Sequence, residues 1–322
     1  MRWLVFALGL LFCATNASAQ GTDFATWLQG MRQDALVQGI SAATFDQAFS
    51  GVQPIPRVIE LDQKQPESTL TFQEYVDRVV TQKRRDDAHQ HYLDNQALLD
   101  EVAQRYQVPA RYIVALWGIE TNFGERIGNY PIIASLATLA YDGRRASFFR
   151  KELINALKIV QNDHVDPSMM IGSWAGAMGQ SQFMPSSYLR FAVSYTGNGA
   201  PDIWNKPDDV FASIANYLAS SGWNPNHGLG WQVIAPPGID SSLVGMPPKR
   251  TLAEWAALGI KRSDGLPLMN NPTESTMRAA LLQPGGSDGP SFLVTDNFSV
   301  ILRWNNSSYF ALAVGYLAES VK

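Results

Sequence analysis

Residues 108–124 place the tightest constraint on what this chain can fold into. Val108 and Pro109 are followed by Arg111, Tyr112 and Val114. From Ala115 to Gly124 the run is apolar or small apart from Glu120, Thr121 and Asn122. Proline suits the first turn of a helix, and Gly124 fits the position that ends one. The pattern predicts a buried helix with Glu120 in its last turn or two. Three effects there favour the protonated acid: desolvation by Trp117 and Ile119, the negative end of the helix dipole, and a shortage of nearby cations. A carboxylic acid kept neutral near pH 7 can protonate a leaving oxygen, as a glycosidase requires. The plainer alternative is a buried glutamate held by a backbone or arginine partner.

The stretch Trp117-Gly118-Ile119-Glu120-Thr121-Asn122-Phe123-Gly124 resembles the catalytic-glutamate motif of the lytic murein transglycosylase B family. The stretch from Ser173-Trp174-Ala175-Gly176 through Gly179-Gln180-Ser181-Gln182-Phe183-Met184-Pro185 to Tyr188 resembles that family's second signature. Asn216-Tyr217-Leu218 with Gly222-Trp223, and Arg303-Trp304-Asn305-Asn306-Ser307, resemble later ones. The resemblance covers nearly all of the chain after its first twenty residues.

It implies a mainly α (α+β) protein with a lysozyme-like catalytic core at 108–229. An N-terminal helical part at 20–107 would flank it, with a small strand-containing subdomain at 230–302 and a last helix, 303–322, returning to the core. It further implies catalysis by Glu120, with Tyr75, Ser173, Gln182, Phe183, Tyr217 and Asn305 along the sugar cleft. From the residues alone, Tyr75 and Tyr217 read equally as packing aromatics, and the small residues at 172–179 as a tight helix contact. Close backbone approach to a ligand is the other use of such residues.

With 322 residues and 46% hydrophobic content, the chain can bury a large core. A net charge of −4 argues against a nucleic-acid partner. Arg2, the apolar run 4–13 and Ala17-Ser18-Ala19 form a secretory leader, cleaved after Ala19 and too short to span a bilayer. Periplasmic localisation follows as an expectation. The single cysteine, Cys13, lies in that leader, and Phe12 before it does not suit a lipoprotein signal. The exported protein would then lack disulfides and rely on packing.

Along the chain, apolar spacing predicts helices over 22–38, from Ser41 onward, through Phe72, Tyr75, Val76 and Val79, and through Leu98, Val102 and Tyr106. Pro54 and Pro56 predict an extended link. Helices are further predicted over 131–140 and from Phe149 to about 163, after the Asp142-Gly143 turn. Another starts at Pro185, and one capped by Asp208 or Asp209 closes at Gly222. Thr251-x-x-Glu254 is a capping box. Segments 277–282, 291–295 and 298–303 read as strands, and Ser307 leads into a last apolar helix. His89 and His91 have no metal-ligand spacing. Relatives in the resembled family carry a calcium loop near 194–202. Here Ser194, Asn198 and Ala200 weaken it, leaving at best a poor calcium site near Thr196, Asn198 and Asp209.

Glycosidases generally use two carboxylates, and no second one embedded like Glu120 is found. The resemblance implies a way round this. Glu120 would protonate the oxygen between N-acetylmuramic acid and N-acetylglucosamine, then take the proton of the muramic C6 hydroxyl as that hydroxyl closes a 1,6-anhydro ring. Peptidoglycan strands would be the partner, with no cofactor. A lysozyme-like hydrolase and a non-catalytic murein-binding protein are the competing readings.

Overall fold

The computed structural model describes residues 23–64, 70–246 and 250–321. The predicted leader and Cys13 lie outside them. In chain order the elements are α1 (Phe24–Val37), α2 (Ala42–Ala48), α3 (Pro56–Gln63), α4 (Phe72–Val79), α5 (Gln82–Asp94), α6 (Gln96–Tyr106) and α7 (Ala110–Thr121). Then come β1 (Tyr130–Pro131), α8 (Ile132–Asp142), α9 (Ala146–Asp163), β2 (Ile171–Gly172), α10 (Pro185–Phe191) and α11 (Pro207–Ser220). The last part holds β3 (Gly230–Ile234), β4 (Arg250–Thr251), α12 (Leu252–Ala257), β5 (Lys261–Arg262), β6 (Arg278–Leu282), β7 (Ser291–Val294), α13 (Asp296–Trp304) and α14 (Ser308–Ala318). No helix of the described residues is long and apolar enough to cross a membrane.

A helix that is apolar on every side belongs in the centre of a core. α7 and α8 are the two such helices here. Every residue from Tyr112 to Gly118 of α7 is buried, as is every residue from Ile132 to Ala140 of α8. α7 is enclosed by α5, α6, α11 and α14, while α8 packs on α9 and α3. The chain is thus mostly helical, in the mainly α (α+β) class expected of it.

β1 and β2 pair with each other, and the last five strands form an antiparallel sheet in the order β4-β6-β7-β3-β5. Successive strand residues point to opposite faces, and here each face has its own core. Ala279, Leu281 and Leu293 join Trp255, Leu252 and Val233 in a small cluster under α12. Ala280, Phe292 and Val294 face the main helical core instead. The Trp255 side chain is fully buried, and its indole donates to the Ala279 carbonyl at 2.9 Å.

Four local predictions need correction. Residues 298–303 are helical, not extended. Thr295 caps α13 by accepting from the Asn297 N–H, and Asn297, Phe298, Val300 and Ile301 are buried. The β-branched residues there read as strand, whereas tertiary burial on one helical face decides the outcome. Pro56 opens α3 instead of prolonging an extended link, since its ring suits a first helical turn. Asp208 and Asp209 lie inside the first turn of α11, whose N-cap position is Lys206. α7 ends at Thr121 with Asn122 as its left-handed cap, so Gly124 lies beyond the helix stop.

Replacing Trp255 with Phe removes an indole hydrogen bond inside the small core. The substitution is expected to lower stability by about 1–3 kcal/mol in chemical denaturation. Glu120 should keep its pKa, because the cluster under α12 contains none of the residues around that side chain.

Candidate active site

Glu120 occupies the last turn of α7, as predicted, and its side chain is partly exposed. Beyond it Asn122, Phe123 and Gly124 all have positive φ, at 53°, 60° and 87°. This left-handed run turns the chain so sharply that the Phe123 ring folds back over α7. A Cβ on Gly118 would lie 2.6 Å from that ring, so the glycine is required there. The Thr121 hydroxyl accepts from the Gly124 N–H at 3.0 Å and lies 3.0 Å from the Gln180 carbonyl. Gln180 accepts from the Trp117 indole at 2.9 Å and donates to the Trp204 carbonyl at 2.8 Å. The Glu120 helix end is thereby tied to the second signature.

Burial pushes the Glu120 carboxyl up to about 7. Opposing it is one hydrogen bond, from Trp304 Nε1 to Glu120 Oε1 at 2.7 Å, which favours the ionised form. An indole N–H can only donate. Oε1 therefore accepts, which leaves Oε2 as the oxygen free to present a proton. The Arg84 guanidinium, which comes near Tyr75, donates instead to the Val79 carbonyl and to Asn122. The plainer alternative, a glutamate neutralised by arginine, does not describe this side chain.

Trp304 is the residue that the sequence reading missed. It lies in the Arg303-Trp304-Asn305-Asn306-Ser307 motif, where Asn305 is the residue the resemblance implies for the cleft. Its ring lies 5.3 Å from Phe183 and 4.6 Å from Tyr217, and the Tyr217 hydroxyl donates to the Arg303 carbonyl at 2.7 Å. Phe183 and Tyr217 thus act on Glu120 through the indole. Tyr75 is pushed above its ordinary pKa by burial and then by the Glu120 charge, so the two lie within electrostatic reach of each other. Its ring is 5.8 Å from Tyr309, whose hydroxyl donates to the Pro284 carbonyl. Tyr309, like Gln180, was not singled out from sequence.

Ser173, Gln182 and Asn305 are less directly connected. The Ser173 hydroxyl accepts from the Ala177 N–H at 3.0 Å, closing a tight turn and keeping its own hydrogen to donate. Gln182, at φ 50°, donates from its side-chain amide to the Gly179 and Ile127 carbonyls at 2.8 and 3.1 Å. The latter bond anchors this loop to the segment just after α7. Asn305 is exposed at the end of α13, next to Trp304. His91 stacks on Phe123 at 4.5 Å, a packing role.

The weakened calcium loop is held by hydrogen bonds. The buried Asp209 accepts from the Tyr195 N–H at 2.7 Å and the Asp202 N–H at 2.8 Å. Asp202 Oδ1 accepts from the N–H groups of Trp204 and Asn205, and the Ser194 hydroxyl donates to the Asn198 carbonyl. Among the described residues no cluster of three or more His, Cys, Asp or Glu is placed to hold a metal. Calcium takes six to eight oxygens, several of them charged, and the donors around Thr196, Asn198 and Asp209 do not fit it.

A largely helical fold that buries one protonatable acid beside a row of aromatic rings is of the lysozyme-like class. The chain belongs to the family described as Transglycosylase SLT domain, which it matches over residues 23–319. It is 34% identical over 225 residues to membrane-bound lytic murein transglycosylase B of Escherichia coli (strain K12). That match covers 69% of this chain and 60% of the relative, so the chain spans less than two thirds of that protein. The crystal structure of SltB3 from Pseudomonas aeruginosa in complex with NAG-anhNAM-pentapeptide matches with a TM-score of 0.89. The identity is 46%, over 93% of this chain and 80% of that one. The Escherichia coli lytic transglycosylase Slt35 in complex with bulgecin A matches with a TM-score of 0.78 and 28% identity, over 97% and 98% of the two chains.

Two outcomes test the site. Trp304→Phe deletes the donor that favours ionised Glu120, so the Glu120 pKa should rise above about 7; carboxyl-carbon NMR reads it directly, and an unchanged titration would refute the assignment. Calcium or a chelator should shift Tm by less than about 1 °C, because only a ligand bound to the folded state stabilises it.

Proposed function

We propose that this chain is a lytic transglycosylase of peptidoglycan, cutting between N-acetylmuramic acid and N-acetylglucosamine to leave a 1,6-anhydro end. The observation that carries this reading is an unaccompanied acid. Burial is what raises Glu120, and no other carboxylate contributes to the rise. The fully buried carboxylates among the described residues are engaged elsewhere. Asp62 pairs with Arg144 and Arg145, Glu152 accepts from the Ser186 N–H, and Asp209 accepts from two backbone N–H groups. A retaining or inverting hydrolase needs a second carboxylate as nucleophile or base. Here the substrate supplies the nucleophile.

In the first step Glu120 Oε2 gives its proton to the bridging oxygen, and the bond from that oxygen to the muramic C1 breaks. The C6 hydroxyl of the same sugar then bonds to C1, and its proton returns to Glu120. Water is not consumed and the acid is regenerated. One group serves as acid and then base, which works best when its pKa lies near the working pH. Holding the C6 hydroxyl beside C1 replaces an external reactant. Tyr75, Phe183 and Tyr217 would bound the sugar cleft, and Ser173, Gln182 and Asn305 would offer hydrogen bonds to it. The relatives support the substrate class, since the SltB3 ligand named above is a muropeptide. Export to the periplasm, with the leader cleaved after Ala19, belongs to the same reading.

Glu120→Gln should lower murein cleavage by roughly 10²–10⁴-fold, the range for loss of a general acid, with the fold intact by circular dichroism. Mass spectrometry of wild-type products should show 1,6-anhydro ends; reducing ends would make the protein a hydrolase. The starting state needs protonated Glu120, so the rate should fall as pH rises through about 7.

A further inference from the structure

One groove away from Glu120 gathers cations and hydroxyls and has no acid in its lining. It measures ≈ 510 Å³ and runs between α10, the end of α11 and the last turn of α13. Its charged members are Arg190 and Arg303, and Ser186, Ser187, Ser220 and Ser221 bring four hydroxyls to it. Among the described residues neither arginine forms an ion pair. Arg190 lies over the Phe191 ring at 4.9 Å, and Arg303 donates to the Ser221 carbonyl. The nearby Glu152 is buried behind Ser186, whose N–H it accepts.

Two uncompensated guanidiniums among hydroxyl donors suit an oxyanion, and guanidinium matches the planar carboxylate best. The groove shares Tyr217 with the wall beside Glu120: that ring is 4.6 Å from Trp304, which in turn donates to the acid. Tyr217 and then Trp304 link the groove to the acid. A peptide extends about 3.3–3.6 Å per residue, so a stem of a few residues reaches about 10 Å or more from the muramic sugar.

We propose that this groove is a carboxylate-binding subsite for the peptide stem of the murein strand, with Arg190 and Arg303 as its cationic contacts. The proposal deepens the transglycosylase reading and rests on it. The glycan chain alone offers this groove little negative charge, whereas the stem carries free carboxylates.

The test uses the full chain and three murein substrates: strands with intact stems, strands whose stem carboxylates are amidated, and strands stripped of peptide. Wild type, Arg190→Gln and the Arg190→Gln/Arg303→Gln double variant are compared by kcat and KM. The ratio of kcat/KM for intact over amidated strands should fall about tenfold in the double variant, the scale of charge-assisted hydrogen bonds. The change should lie in KM, and higher ionic strength should erode the wild-type ratio. Arg190→Gln alone, whose side chain only overlies Phe191, should show a smaller drop and keeps the test decisive if the double variant fails to fold. An equal ratio in wild type and variants would overturn the subsite while leaving the transglycosylase reading standing. Failure of wild type to release any muropeptide from all three substrates would remove both.

Discussion

The contact between Trp304 Nε1 and Glu120 Oε1 is the interaction on which the rest of the site depends. It joins the end of α13 to the end of α7 across 184 residues of sequence. Without the indole, the acid would lose the one side chain among the described residues that hydrogen-bonds it; without the acid, the indole N–H would lose this acceptor. Most of the surrounding architecture serves to place these two groups. Tyr217 pins the Arg303 carbonyl, Phe183 and Tyr217 flank the indole ring, and the Phe123 ring folds over Gly118 to shape the helix end. The sheet holds its distance by carrying its own small core under α12 and presenting Phe292 and Val294 to the helices.

The electrostatics follow from what is missing around Glu120 as much as from what is there. An arginine at this position would pull its pKa down, and a second carboxylate would push it up through like charge. Neither contributes: burial raises it and one neutral donor restrains it. A neutral donor is a weak brake, so the acid settles near neutrality.

Periodic apolar stretches made the helical core legible in the sequence, and the position of Glu120 on α7 was read correctly. What local pattern could not supply was partnership over long range. Trp304 is separated from Glu120 by most of the core and all of the sheet, and nothing near residue 304 marks it as the donor. The strand reading of 298–303 failed for a related reason: Val300 and Ile301 favour extended backbone, yet burial against the main core selects one helical face. Asp208 and Asp209 looked like caps because acids favour that end of a helix. Asp209 is instead buried and spends both oxygens on the preceding loop. That loop shows the converse case. Ser194, Asn198 and Ala200 depart from the acidic ligand pattern, and hydrogen bonds to Asp209 and Asp202 hold the loop.

A site of this kind costs stability, with a definite sign. The folded-state pKa of Glu120 lies above its unfolded value of 4.5. Folding therefore favours the protonated form. The associated stability is fully present below about 4.5 and is lost as pH rises through about 7. The acid thus weighs most against the fold above about 7, where it is ionised. The two helices apolar on every side, α7 and α8, supply the compensation: they bury their full circumference, and one of them carries the acid at its end. The same burial that raises the pKa stabilises the chain around it, so the shifted acid is a consequence of how the core is packed.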